Sequence, residues 1–307
     1  MSRIVKIGTR ESELAVWQAT SVQTLLRHKN IIADLVPIRS EGDIDLATPL
    51  YEMGVQGIFT RALDIALLNY NIDLAVHSYK DVPTQFPKGI AKAAVLKRAS
   101  HKDILVHKGD MGFLQDHHSM ATIATSSIRR KAQWLHRYPN HIIENLRGNV
   151  NTRLRKLAEN DWQGAIFAAA GLERIGLRPA QSIDLDWMLP APAQGAIIVL
   201  CREEDRELQE NCQSINDPDT EICTRIERDF LRTLMGGCST PISAMAQITG
   251  QEIVFRANIV SPDGKMKLET EKKMPYRDGL ELGKIAGREI LEKAGAGMQE
   301  WFRMPAS

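Results

Sequence analysis

Ile4-Val5-Lys6-Ile7-Gly8-Thr9-Arg10-Glu11-Ser12, continuing as ELAVWQATSVQTLLR through Arg27, decides the fold class. The apolar run at residues 4–7 predicts a strand, and 12–27 predicts a helix with Leu14, Trp17, Val22, Leu25 and Leu26 on one face. A strand passing through a short turn into an amphipathic helix is the repeating unit of an α/β protein. The texture recurs along the chain: further strands are expected at 33–38, 73–77, 93–96, 104–107, 122–125, 142–146, 165–168 and 196–201, most of them followed by helical patterns.

After Asp217-Pro218 the pattern changes to a helix, two alternating strands around the turn Ser261-Pro262-Asp263-Gly264, and a closing helix over 279–293. That predicts a separate α+β domain. Domain joints are expected near 98–101, 190–194 and 214–218, with no internal repeat, low-complexity tract or long linker.

With 307 residues and 43% hydrophobic content, the chain can bury a sizeable core. Its 39 Lys and Arg against 38 Asp and Glu give a net charge of +1, so any anion site must come from local clustering of cations. Cys201, Cys212, Cys223 and Cys238 show no C-x-x-C spacing, which argues against a zinc knuckle, a thioredoxin-like pair and a disulfide framework; no metal is expected. The opening enters a strand pattern without an apolar signal core, and no apolar run approaches membrane-spanning length. A cytoplasmic protein with reduced thiols and no membrane partner is expected.

Five strand-to-helix junctions carry cations or hydroxyls. They are GTRES with Arg10 and Ser12, VHSYKDVP with Ser78 and Lys80, ATSSIRR with Ser126, Ser127, Arg129 and Arg130, LRGNVNTR with Arg147 and Arg153, and AAAGLER with Arg174. In doubly wound sheets ligands lie beyond the carboxyl ends of strands, where helix N-termini offer free N–H groups to anions and arginine adds a planar fork. One such arginine is ordinarily a solvated helix face, but five junctions together predict a polyanion ligand. Nucleic acid is disfavoured because the basic segments lack interleaved aromatics. No P-loop or GxGxxG pattern supports a nucleotide, which leaves a polycarboxylate.

Asp81, beyond an apolar strand and beside Lys80, reads either as a turn-capping carboxylate before Pro83 or as an acid–base group for a developing cation. His77, at the end of the same strand, reads as a satisfied structural histidine. Cys238, in Leu234-Met235-Gly236-Gly237-Cys238-Ser239-Thr240-Pro241, reads either as a half-buried structural thiol or as a reactive one on a loop that stops a helix.

The segments HSYKDVP, TSSIRR, LRGNVNTR, AAAGLER and GGCSTP, in this order and spacing, resemble the porphobilinogen deaminase (hydroxymethylbilane synthase) family over almost the whole chain. The resemblance implies two doubly wound α/β domains like those of type II periplasmic binding proteins, residues 1–98 with 195–214 and residues 99–194, with an active cleft between them. A small α+β C-terminal domain, 215–307, would carry the cysteine loop. It implies a dipyrromethane cofactor held by a thioether on Cys238, and a transferase that joins four porphobilinogen molecules head to tail, releasing ammonia, before water frees hydroxymethylbilane.

Asp81 is then the acid that balances the azafulvene cation. Arg10, Ser12, Ser78, Lys80, Thr125, Ser126, Ser127, Arg129, Arg130, Arg147, Gly148, Arg153, Arg174 and Gln194 contact substrate or cofactor. The resemblance further implies a monomer whose product passes to uroporphyrinogen-III synthase. The chain departs from the family pattern at Glu52 and Gln56, where relatives commonly have lysines, at Tyr79 for methionine, and at Ala193 for glycine. The competing readings are a two-lobed polycarboxylate-binding protein, which has no need of a reactive thiol on a third domain, and a nucleic-acid-binding module.

Overall fold

The computed structural model describes residues 4–39, 60–116, 118–235 and 240–294. Contacts divide the chain into two units, the first drawn from Met1–Asp45, Val55–Ala99 and Gly195–Ile222, the second from Leu46–Gly54, Ser100–Gln194 and Cys223–Ser307.

The first unit is built on a five-stranded sheet of β1 (Val5–Thr9), β2 (Ala33–Pro37), β3 (Leu74–Ser78), β4 (Ile90–Val95) and β10 (Ile197–Arg202), in the order β2-β1-β3-β10-β4. β1, β2 and β3 are parallel, and β10 runs antiparallel to both its neighbours. Every residue of β10 is buried, as its unbroken apolar run requires of a strand covered on both faces. Helices α1 (Glu13–Arg27) and α6 (Arg206–Gln213) close one face over Ile7, Leu74, Val76 and Val199, and α2 (Arg61–Leu68) packs on the other. Each fully buried aliphatic side chain here contributes roughly 1.5–3 kcal/mol.

The second unit repeats that strand plan. Its first sheet comprises β5 (Asp103–His107), β6 (Thr122–Ala124), β7 (Ile142–Glu144), β8 (Gly164–Ala168) and β9 (Ser182–Asp184), ordered β7-β6-β8-β5-β9. Again the first three are parallel and the fourth in space, β5, is antiparallel to its neighbours. Helix α3 (Ile128–Arg137) places Trp134 on one face, with Leu105, Ile123 and Ile166. Helices α4 (Val150–Glu159) and α5 (Ala169–Glu173) cover the other through Leu157 and Leu172.

The rest of this unit is an antiparallel meander of β11 (Ile242–Thr249), β12 (Glu252–Val260) and β13 (Lys267–Pro275), with α8 (Leu282–Lys293) packed on β12 and β13. α8 lies directly on α7 (Pro218–Thr233), because a Cβ at Gly283 would strike the carbonyl oxygen of Ile226. The meander is tied to α3 by buried polar contacts. Gln133 Nε2 donates to Ser243 Oγ at 2.9 Å, Asn258 Nδ2 donates to Gln133 Oε1 at 3.3 Å, and a His136 ring nitrogen meets Gly264 O at 2.8 Å.

Three expectations need correction. The buried stripe of α1 is Gln18, Ala19, Val22 and Leu26, while Trp17 and Leu25 are more than a third exposed. The stripe is displaced because Gln18 turns inward to hold Ser78, with small Ala19 beside it. The C-terminal region has three strands where two were expected. β11 was missed because Ile242 to Ala246 are all buried, so no alternation marks them. The three-residue strand β9 was also unforeseen, being too short to show a period.

Candidate functional site

The five junctions fall at the carboxyl edges of the two parallel strand sets. In the first unit, Arg10 and Ser12 follow β1 while Ser78, Lys80 and Asp81 follow β3, and these strands pair directly, Ile7 with Leu74 and Gly8 with Ala75. Parallel pairing therefore delivers both loops to one edge. Ser12 is the N-cap residue of α1 but makes no side-chain cap, so its hydroxyl is not used by the helix. Ser78 Oγ accepts a 2.8 Å hydrogen bond from buried Gln18 Nε2, which fixes the serine rotamer. Lys80 and Asp81 are half-buried in the short 3₁₀ turn Tyr79–Asp81. That turn is closed backbone to backbone, Val82 N–H to Tyr79 O at 3.3 Å, without the Asp81 side chain.

His77 is buried as expected, yet its Nε2 has no hydrogen-bond partner. Burial, helped by the charge of Arg10, lowers its pKa to about 3, so the ring stays neutral. Tyr79 is buried and donates its N–H to Ala196 O at 3.0 Å.

In the second unit the loops after the parallel strands β6, β7 and β8 supply the remaining groups. Thr125 Oγ1 accepts from Ser127 N–H at 3.3 Å, Ser126 Oγ donates to Leu146 O at 2.9 Å, and Ser127 caps α3 by accepting from Arg130 N–H. Hydroxyl side chains thus organise the helix start that carries two arginines. Gly148 has φ 113°, and a Cβ there would fall 2.6 Å from Thr152 Cγ2, so the close turn before α4 requires glycine. Asn149 caps α4 through Thr152 N–H at 2.9 Å, and Arg153 Nε donates to Gly148 O at 2.7 Å. Arg147 is buried; Arg174 is half-buried, and desolvation, opposed by Glu173, lowers its pKa to about 10.

Arg129 and Arg130 converge on a residue that sequence reasoning missed. Asp103, fully buried at the head of β5, pairs through Oδ2 with Arg129 at 2.7 Å and through Oδ1 with Arg130 at 2.8 Å. Gln194, also fully buried, donates to the same Oδ1 at 3.0 Å and to His101 O at 2.8 Å. Burial pulls the Arg129 pKa down and the neighbouring Arg130 adds to this, while Asp103 opposes both. The available signal for Asp103 was an acid opening an apolar strand, since a carboxylate buried there needs a cationic partner.

Cys201, Cys212 and Cys223 are buried and form no disulfide among the described residues. Burial raises the Cys201 pKa to about 11 and the Cys212 pKa to about 12, which suppresses thiolate formation at either. Cys238, Glu52 and Gln56 lie outside the described residues. No group of His, Cys, Asp and Glu that could hold a metal occurs among the described residues.

A family model described as "Porphobilinogen deaminase, dipyromethane cofactor binding domain" matches residues 5–210, and one for the C-terminal domain of porphobilinogen deaminase matches 221–292. The chain is 40% identical over 306 residues to the chloroplastic porphobilinogen deaminase of Pisum sativum, covering 96% of this chain and 83% of the relative. Among solved structures, a methionine-bound nutrient-binding protein of Burkholderia cenocepacia aligns at 14% identity and TM-score 0.44, over 71% of this chain and 93% of that one. A periplasmic substrate-binding protein of a Coxiella burnetii ABC transporter aligns at 13% identity and TM-score 0.44, over 71% and 94%. With both of its parts matched and close identity along nearly its whole length, the chain belongs to the porphobilinogen deaminase family.

Proposed function

We propose that this protein builds hydroxymethylbilane with Asp81 as its acid–base carboxylate and Cys238 as the attachment point of its primer. The family reaction is a transfer: four porphobilinogen molecules are joined head to tail onto a dipyrromethane cofactor, ammonia leaves at each addition, and water frees the tetrapyrrole. When bound, the cofactor supplies the pyrrole terminus that accepts the incoming unit.

The second unit fits a group bearing several carboxylates. Its donor set is cationic and hydroxylic at one sheet edge, beyond the parallel strands β6, β7 and β8. Ser126, Ser127, Arg129, Arg147, Arg153 and Arg174 would hold those carboxylates, with Arg130, Thr125 and Gln194 supporting them from within the protein.

In the first unit Arg10, Ser12, Ser78 and Lys80 orient the acetate and propionate of porphobilinogen. Positive charge develops on the substrate ring as ammonia departs. The Asp81 carboxylate stabilises that charge and can take up and return a proton at one of its oxygens. Neutral His77 keeps a second cation out of the neighbourhood of Arg10.

The observation that carries this reading is the convergence of Arg10, Ser12, Ser78, Lys80 and Asp81 at one edge, through direct pairing of β1 with β3. Three domains, 1–98 with 195–214, 99–194 and 215–307, are retained as the working division. We also place the protein in the cytoplasm, which suits its buried reduced thiols, and treat it as a monomer delivering product to uroporphyrinogen-III synthase. No helix among the described residues is long and apolar enough to cross a membrane. Intact mass spectrometry with peptide mapping tests the proposal. An adduct of two pyrrole units on Cys238 is expected; active protein without it, or an adduct on another cysteine, would overturn the assignment.

A further inference from the structure

Within the second unit, hydrogen bonding divides Arg129 and Arg130 unequally. A guanidinium has five N–H donors in a fixed fork. Arg130 spends Nε and one terminal nitrogen on Asp103 Oδ1, at 3.0 and 2.8 Å, and the other terminal nitrogen on Ile166 O at 3.0 Å. Arg129 meets Asp103 Oδ2 with one terminal nitrogen and Leu189 O with the other, at 2.7 Å each, and its Nε donates to no group among the described residues. Asp103 pairs with Ala168 at the last position of β8, so its carboxylate stands at the carboxyl edge of the parallel strands.

Two guanidinium groups share this one carboxylate, an excess of one positive charge within the trio. Burying such a trio is costly, and well-packed apolar residues of similar volume would give comparable stability. The arrangement does something apolar packing cannot, which is to hold a charged fork at a fixed angle.

We infer that Asp103 is a positioning residue for anion binding: braced by Arg130 and Gln194, its carboxylate fixes the guanidinium of Arg129 in the orientation that receives a carboxylate of the bound pyrrole chain. This rests on the polycarboxylate reading above. Arg130 is the brace and Arg129 the ligand-facing member. Gln194 belongs with the brace, since its Nε2 donates to His101 O and Asp103 Oδ1, both inside the protein.

The test compares Asp103→Asn, Asp103→Glu and Arg129→Gln as full-length, primer-loaded enzymes, with folding checked by circular dichroism and kinetics expressed per loaded active centre. For Asp103→Asn the KM for porphobilinogen should rise about tenfold while kcat stays within about threefold, a split that loss of fold stability alone does not produce. Asp103→Glu keeps the charge but moves it by one methylene, and should recover part of that loss. Arg129→Gln should raise KM at least as far. A raised KM in Arg129→Gln beside a wild-type KM in both Asp103 variants would overturn the positioning role and leave the anion reading standing. Wild-type KM in Arg129→Gln would overturn both. Should Asp103→Asn not fold, Asp103→Glu decides: a raised KM supports the role, and an unchanged one refutes it.

Discussion

The N–H of Ala193 donates a 2.6 Å hydrogen bond to the fully buried carboxylate of Glu227, and it does so from a backbone φ of 63°. The other Glu227 oxygen accepts from Ala246 N–H at 2.8 Å, so one side chain on α7 pins both the segment after β9 and the strand β11. A left-handed conformation costs a non-glycine residue about 1–2 kcal/mol, whereas glycine gives back about 0.5–1 kcal/mol through unfolded-state entropy. Ala193→Gly should therefore raise stability by up to about 1 kcal/mol, read from chemical denaturation. A loss of similar size would show that the buried methyl packs better than the strain costs.

Two buried groups of the first unit give stability opposite dependences on pH. The His77 pKa is lowered from 6.5 to about 3 by burial and by Arg10, so between these values the unfolded chain binds the extra proton and stability falls as pH falls. His77→Gln should flatten that decline between pH 6.5 and 4. Asp64 is raised from 3.8 to about 6 by burial, against a Thr60 hydrogen bond, so its penalty grows as pH rises from about 4 and is complete above about 6. Asp64→Asn should stabilise the protein above pH 6 by about 1–2 kcal/mol and leave it unchanged below pH 4. Denaturation midpoints across pH 4–8 check both signs.

Cys238→Ser should give folded protein without primer and with essentially no turnover, because a serine hydroxyl is a far weaker nucleophile than a thiolate. Conservative replacement of Cys201, Cys212 or Cys223, all buried, should leave primer attachment intact. Mass spectrometry of the four variants separates these outcomes.

Arg147→Gln should weaken retention of the carboxylate-bearing chain by roughly 2–5 kcal/mol, since the guanidinium is buried. Slower primer assembly and a raised KM are the expected signs. Full primer loading with unchanged kinetics would remove Arg147 from the binding set.

The sequence was most informative where local chemistry repeats. The Gly-Thr-Arg end of β1 and the hydroxyl-rich start of α3 could be read because strand ends, caps and cations lie within a few residues of one another. Asp103 could not be read as the partner of Arg129 and Arg130, because the pairing joins residues 26 and 27 apart in the chain through the register of β5 on β8. Gln18 was equally opaque, since a polar residue on a helix predicts solvent, and only the fold shows it buried against Ser78. The chain order Thr125-Ser126-Ser127 was visible, but the inward turn of the Arg130 side chain depends on the carbonyl of Ile166, which no spacing announces.

The central claim is that Asp81 performs acid–base work on the substrate, and single-turnover addition of porphobilinogen to primer-loaded Asp81→Asn tests it most directly. The amide keeps the shape of the turn, which is closed by Tyr79 and Val82 without the Asp81 side chain, yet it can neither balance the substrate's developing charge nor relay a proton. Addition should slow by on the order of 10²–10⁴-fold while porphobilinogen still binds, and Asp81→Glu should keep more of the rate. Near-normal addition by the asparagine variant would contradict the account and remove Asp81 from the acid–base role.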